Sequence, residues 1–134
     1  MSTSESTLAG LHRKIRWITI LWGLAVFLWL AVEDNTVLPV VLLGSSGAFL
    51  IVSLRITRMQ PMSRLRLILG GSLTGLGASV LTTLLMLLKN GQHSHLYPDF
   101  PLALMGAMLT RAPIWILAGG LGGLGLVLLI KVEK

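Results

Sequence analysis

The side chains in this sequence that could do chemistry are few, and they lie beside its long apolar stretches, not within them. His93-Ser94-His95 is the one constellation with ligand character. A neutral imidazole can bind zinc, copper, haem iron or a chlorophyll-type magnesium. Asp99, or Glu33 and Asp34, could complete such a site. A metal centre usually takes three or four protein ligands with supporting hydrogen bonds. Two histidines two residues apart in a polar loop therefore read first as solvated residues, and only second as cofactor ligands (His93, His95). Arg111 interrupts an apolar stretch. It reads as a headgroup-facing arginine, with an outer ion pair to Asp99 or Glu33 as the functional alternative. Arg55, Arg58, Arg64 and Arg66 form a basic cluster with no acid between them. It is expected to dock anionic lipid headgroups or an acidic partner. The cluster has no interleaved aromatics and no recognisable binding fold, so no nucleic acid is expected.

Other chemistries lack their parts. With no cysteine there is no disulfide, thiolate metal site or cysteine-linked lipid anchor. No phosphate-binding loop is present, because the glycines fall inside apolar runs and not between a strand and a helix. Serines in those runs have no histidine within reach on the same helix, so no nucleophile–His–acid set forms. The chain is expected not to be an enzyme, and the sequence names no cofactor.

The elements that would position these residues are membrane helices. Of 134 residues, 54% are hydrophobic and 12% charged, with a mean hydropathy of +0.83. A soluble protein needs more surface charge than that. Between Arg66 and Lys89 lie 22 uncharged residues. They make about 33 Å of helix at ~1.5 Å per residue, against a hydrocarbon core about 30 Å thick. This span also holds most of the small residues. Gly71, Gly75, Ala78 and Thr82 fall on one face, where small side chains let a neighbouring helix approach closely. It is predicted to be the hub of the bundle.

The whole chain reads as a single all-α integral membrane domain with four transmembrane helices. The predicted order is a cytoplasmic tail (1–14), a first span (15–33), a second span (37–55), a basic cytoplasmic loop (56–65), the hub (66–89), an outer loop (90–111) and a last span (112–131). Arg13 to Val32 has the charged front and apolar middle of a signal peptide. Glu33-Asp34-Asn35 makes a poor cleavage site, so the segment is expected to be retained as a helix. It carries Trp17, Trp22 and Trp29, and Trp17 and Trp29 lie near its two ends, where indole suits the headgroup boundary. In the second span Pro39 falls in the first turn, where a missing N–H is tolerated. Gly44, Ala48 and Ile51 line one face there. Pro101 to Thr110 is apolar but too short to cross, and is expected to lie as a short interfacial helix before the last span. In that last span Gly119 and Gly123 are four apart and read as a close-packing groove.

The basic residues are strongly one-sided. Arg13, Lys14, Arg16, the four loop arginines, Lys131 and Lys134 fall on one side, against Lys89 and Arg111 on the other. The positive-inside rule then predicts both termini in the cytoplasm. No ionisable residue lies within the uncharged cores of the spans. Such residues mark proton and ion paths, so a proton-coupled carrier is not expected. Small four-helix drug exporters of the multidrug-resistance type are similar in length and span count, but they depend on a carboxylate well inside the first helix. Here Glu33 comes only at its outer end. The small assembly protein encoded with ATP synthase genes is similar in span count and basic middle loop.

The resulting expectation is a non-catalytic accessory, scaffold or assembly subunit of a larger membrane complex, in contact with other membrane subunits and anionic lipid headgroups. A bacterial cytoplasmic membrane is the first expectation, with a thylakoid or organelle membrane as alternative. A small homodimeric transporter or channel is the alternative function, since an uncharged substrate needs no buried charge. A pigment- or quinone-binding subunit of an electron-transfer complex, using His93 or His95 and the tryptophans, is the second.

Overall fold

A computed structural model of the chain describes residues 3–33, 35–57, 63–92 and 97–129. They form five helices: α1 (Thr3–Ala31), α2 (Val37–Thr57), α3 (Arg64–Gln92), α4 (Leu102–Thr110) and α5 (Ala112–Leu129). Four of these are long and apolar enough to cross a membrane, over Arg13–Ala31, Val37–Ile56, Arg64–Gln92 and Ala112–Leu129. The chain divides into two compact units, Met1–Glu33 and Asp34–Lys134.

The first unit is the single helix α1. The sequence separates a polar tail from a span, whereas the helix runs through both without a break from Thr3 to Ala31. No proline interrupts it, and Gly10 and Gly23 are isolated, so the backbone can continue its ladder. Thr19 returns its hydroxyl to the Ile15 carbonyl at 2.9 Å, which satisfies a polar group inside an apolar run. Trp17, Leu21, Phe27 and Leu28 are all exposed, each more than 60%.

The second unit is built on α3, which packs against α2, α4 and α5. Both long neighbours run antiparallel to it. Gly44, Ala48 and Ile56 of α2 meet Thr82, Gly77 and Gly70 of α3 in reverse order. Likewise Trp115, Gly119 and Gly123 of α5 meet Gly75, Gly71 and Leu67. The buried core follows this centre, with Leu67, Ala78, Leu85 and Met86 on α3, Val40 and Ala48 on α2, and Met105 and Met108 on α4.

Hydroxyls within these helices are turned inward on the backbone. Thr74 donates to the Gly70 carbonyl and Thr83 to that of Ser79, both at 2.9 Å. Within an apolar helical run the carbonyl of the preceding turn is the natural acceptor for such groups. Ser79 differs. Its hydroxyl crosses to the Met108 carbonyl at 2.7 Å and ties α4 to α3. The short α4 predicted from Pro101 to Thr110 begins one residue later, with Pro101 as its N-cap in extended conformation.

Candidate functional site

Three places in the second unit bring together the residues that chemistry or recognition could use. The first is the crossing of α3 and α5. A Cβ added at Gly71 would strike the Gly119 carbonyl, and one added at Gly119 would strike the Gly71 carbonyl. One added at Gly75 would meet the Trp115 carbonyl group, and one at Gly123 would meet the Leu67 carbonyl. Two glycine pairs, each four residues apart, thus lie face to face. The helices touch backbone to backbone, which maximises dispersion contact at the crossing.

On its other side α3 meets α2, where Gly44 lies against Thr82 and Gly77 against Ala48. The single small-residue face read from the sequence therefore serves two neighbours, Gly71 and Gly75 toward α5 and Thr82 toward α2. Ala78 is buried. Ile51, read as part of the packing face of α2, is instead 54% exposed, while Gly44, Gly47 and Ala48 are buried. Ile51 lines an open apolar groove between α2 and α3, which leaves it accessible.

The second place is the end of α3 near Lys89. The sequence reads Lys89 as a boundary charge at the membrane surface, but it is completely buried. A buried ammonium is costly unless it is partnered, so this lysine belongs to the folded interior. Asn90 follows it and acts as a clamp. Its side-chain amide donates to the Phe100 carbonyl at 2.7 Å, and its carbonyl accepts from the Phe100 N–H at 2.9 Å. Phe100, 1% exposed, is thereby held against the bundle. No local sequence signal identifies this arrangement, because the bonded residues are ten positions apart and separated by Pro98.

The third place is an apolar groove of about 700 Å³ between α2 and α3. Arg55 and Arg66 stand at one end of it, and aliphatic side chains line the rest. Both arginines are exposed, as is Arg64, which does not line the groove. A smaller groove of about 430 Å³, also apolar, lies where α2, α3 and α5 meet, over Thr74 and Gly122.

Compared with known proteins, the chain matches no family model, no curated protein and no solved structure. Arg111 is exposed and forms the C-cap of α4, with φ −86° and ψ 0°. Its carbonyl accepts from the N–H groups of Ile114 and Trp115, so α4 passes into α5 through a single irregular residue. Asp99 is half-buried beside Phe100, and Glu33 closes the first unit. His93, His95, Asp34 and Arg58 lie outside the described residues. Among the described residues, no group of three or more His, Asp or Glu side chains converges as a metal site would require.

Proposed function

We propose that this chain is a non-catalytic accessory, scaffold or assembly subunit of a larger membrane complex, inserted with both termini in the cytoplasm. The observation that carries the reading is the closure of the α3–α5 seam by reciprocal glycine contacts. A helix pair that shares its backbone surfaces this closely has its small residues committed to holding shape. The hydroxyls of Thr74, Ser79 and Thr83 are likewise committed to backbone carbonyls and not aimed at a substrate. The exposed apolar side chains of α1 between Trp17 and Leu28 give such a subunit a surface for other membrane helices. The orientation rests on the charge bias, with Arg13, Lys14, Arg16, Arg55, Arg64 and Arg66 on the side assigned to the cytoplasm.

Affinity purification of the chain in mild detergent tests the function. A stoichiometric membrane partner is expected, and a free monomer that carries nothing with it overturns the proposal. Solute or ion flux through liposomes holding the purified chain alone would assign it to carriers instead. For the orientation, a reporter fused after Lys134 should be active only on the cytoplasmic side. Labelling of that end from outside the cell reverses the topology.

A further inference from the structure

We infer that the groove between α2 and α3 seats an acyl chain of an anionic phospholipid, with Arg55 and Arg66 receiving its phosphodiester. The groove has the two-part chemistry of such a ligand. Its charged end is made by the last turn of α2 and the first turn of α3, which the antiparallel pairing brings to the same level. A guanidinium presents a planar fork of donors that matches phosphate oxygens, and two of them can share one phosphodiester. Beyond the arginines, the lining is aliphatic. Leu69, Leu73, Val80 and Leu84 recur on one face of α3, and Ile51 and Val52 face them from α2.

The dimensions also suit a lipid tail. From Arg66 to Leu84 the lining runs about 27 Å along α3, at ~1.5 Å per residue. One leaflet contributes about half of a ~30 Å hydrocarbon core, so a chain hung from Arg66 ends near Leu76. The tail therefore lies wholly within the groove. The complementary charge at its mouth selects a lipid with a net negative headgroup over a zwitterionic one, whose own cation would face the two arginines. This inference stands apart from the proposed accessory role, because a lipid seat is compatible with any function of the bundle.

Native mass spectrometry of the full chain in detergent tests it, using phosphatidylglycerol and phosphatidylcholine with identical acyl chains. One retained phosphatidylglycerol is expected, in preference to phosphatidylcholine. Arg55→Gln with Arg66→Gln should weaken its retention about thirtyfold, roughly fivefold for each surface arginine. Arg64→Gln, in the same helical turn but off the groove, should change it less than about twofold, well short of the roughly fivefold for each groove arginine. Leu73→Trp, which fills the groove and leaves every charge in place, should displace the lipid. Far-UV circular dichroism and a monodisperse elution profile confirm that each variant is folded. No preference between the two lipids overturns the proposal. So does a loss of about fivefold in Arg64→Gln, the same effect per arginine as in the double variant, which would mean diffuse attraction to the basic loop. If Leu73→Trp instead converts a dimer to a monomer while lipid retention is unchanged, a second copy of the chain occupies the groove and the proposal also fails.

Discussion

Replacing Gly75 with alanine should loosen α5 from α3, and the geometry sets the size of the effect. The added methyl would lie 2.5 Å from the carbonyl carbon of Trp115. Carbon atoms rest at about 3.5–4.0 Å, so the helices must separate by about 1 Å. Backbone, not a flexible side-chain end, is what stands in the way, so no rotamer change can relieve the clash. A gap of 0.5–1 Å forfeits roughly a quarter to a half of each neighbouring contact's well depth. Overpacking of this kind costs about 1–3 kcal/mol. In water the greater helix propensity of alanine would offset up to about 1 kcal/mol. In a bilayer the separated helix is already fully hydrogen-bonded, so little of that gain applies. Gly122→Ala is the matched control, because its added methyl meets nothing within 4 Å. Unfolding in dodecyl maltoside micelles with rising sodium dodecyl sulfate, followed by tryptophan fluorescence, measures both. Gly75→Ala should lose about 1–3 kcal/mol, and Gly122→Ala should stay within about 0.5 kcal/mol of the parent. Equal stability of Gly75→Ala and the parent, with Gly122→Ala destabilised, would refute the close-crossing argument.

Two further predictions concern the end of α3. Asn90→Ala removes both hydrogen bonds to Phe100 and should cost about 1–3 kcal/mol, since two backbone groups are left in a partly buried site. Faster hydrogen exchange or proteolysis confined to residues 97–101 would report it, and unchanged protection there would count against the clamp. Lys89 should react far more slowly than the exposed Lys14 with a water-soluble amine-reactive ester, read by peptide mass spectrometry. Equal labelling of the two lysines would mean that Lys89 is not enclosed.

The four candidate spans were legible because a charge bounds each apolar run, as Arg66 and Lys89 do for α3. The glycine crossings were legible for a related reason. Spacings of four on one helix, at Gly71 and Gly75 and again at Gly119 and Gly123, place small residues in line, and a membrane helix has few other uses for them. Which neighbour each would meet was not legible. Thr82 turns to α2 and Gly75 to α5, and that division depends on where two other helices settle. The same limit hid Lys89. A charge at the end of an apolar run looks like a boundary, and its burial is set by tertiary packing that the run itself does not encode. Composition changes near Arg13 while helix-forming capacity does not, so the sequence marks where the apolar span begins and not where α1 begins. The groove could not be read at all. Arg55 and Arg66 looked like members of one basic loop, and only the pairing of α2 with α3 sets them at the mouth of an apolar cleft while Arg64 stands outside it.

The central claim is that this chain works by contact with other membrane proteins, and photo-crosslinking in native membranes tests it most directly. A photoreactive amino acid at position 28, where Leu28 is 65% exposed on α1, should give a discrete protein adduct of defined mass. Adducts to lipid alone, from this position and equally from Leu21 and Phe27, would contradict it.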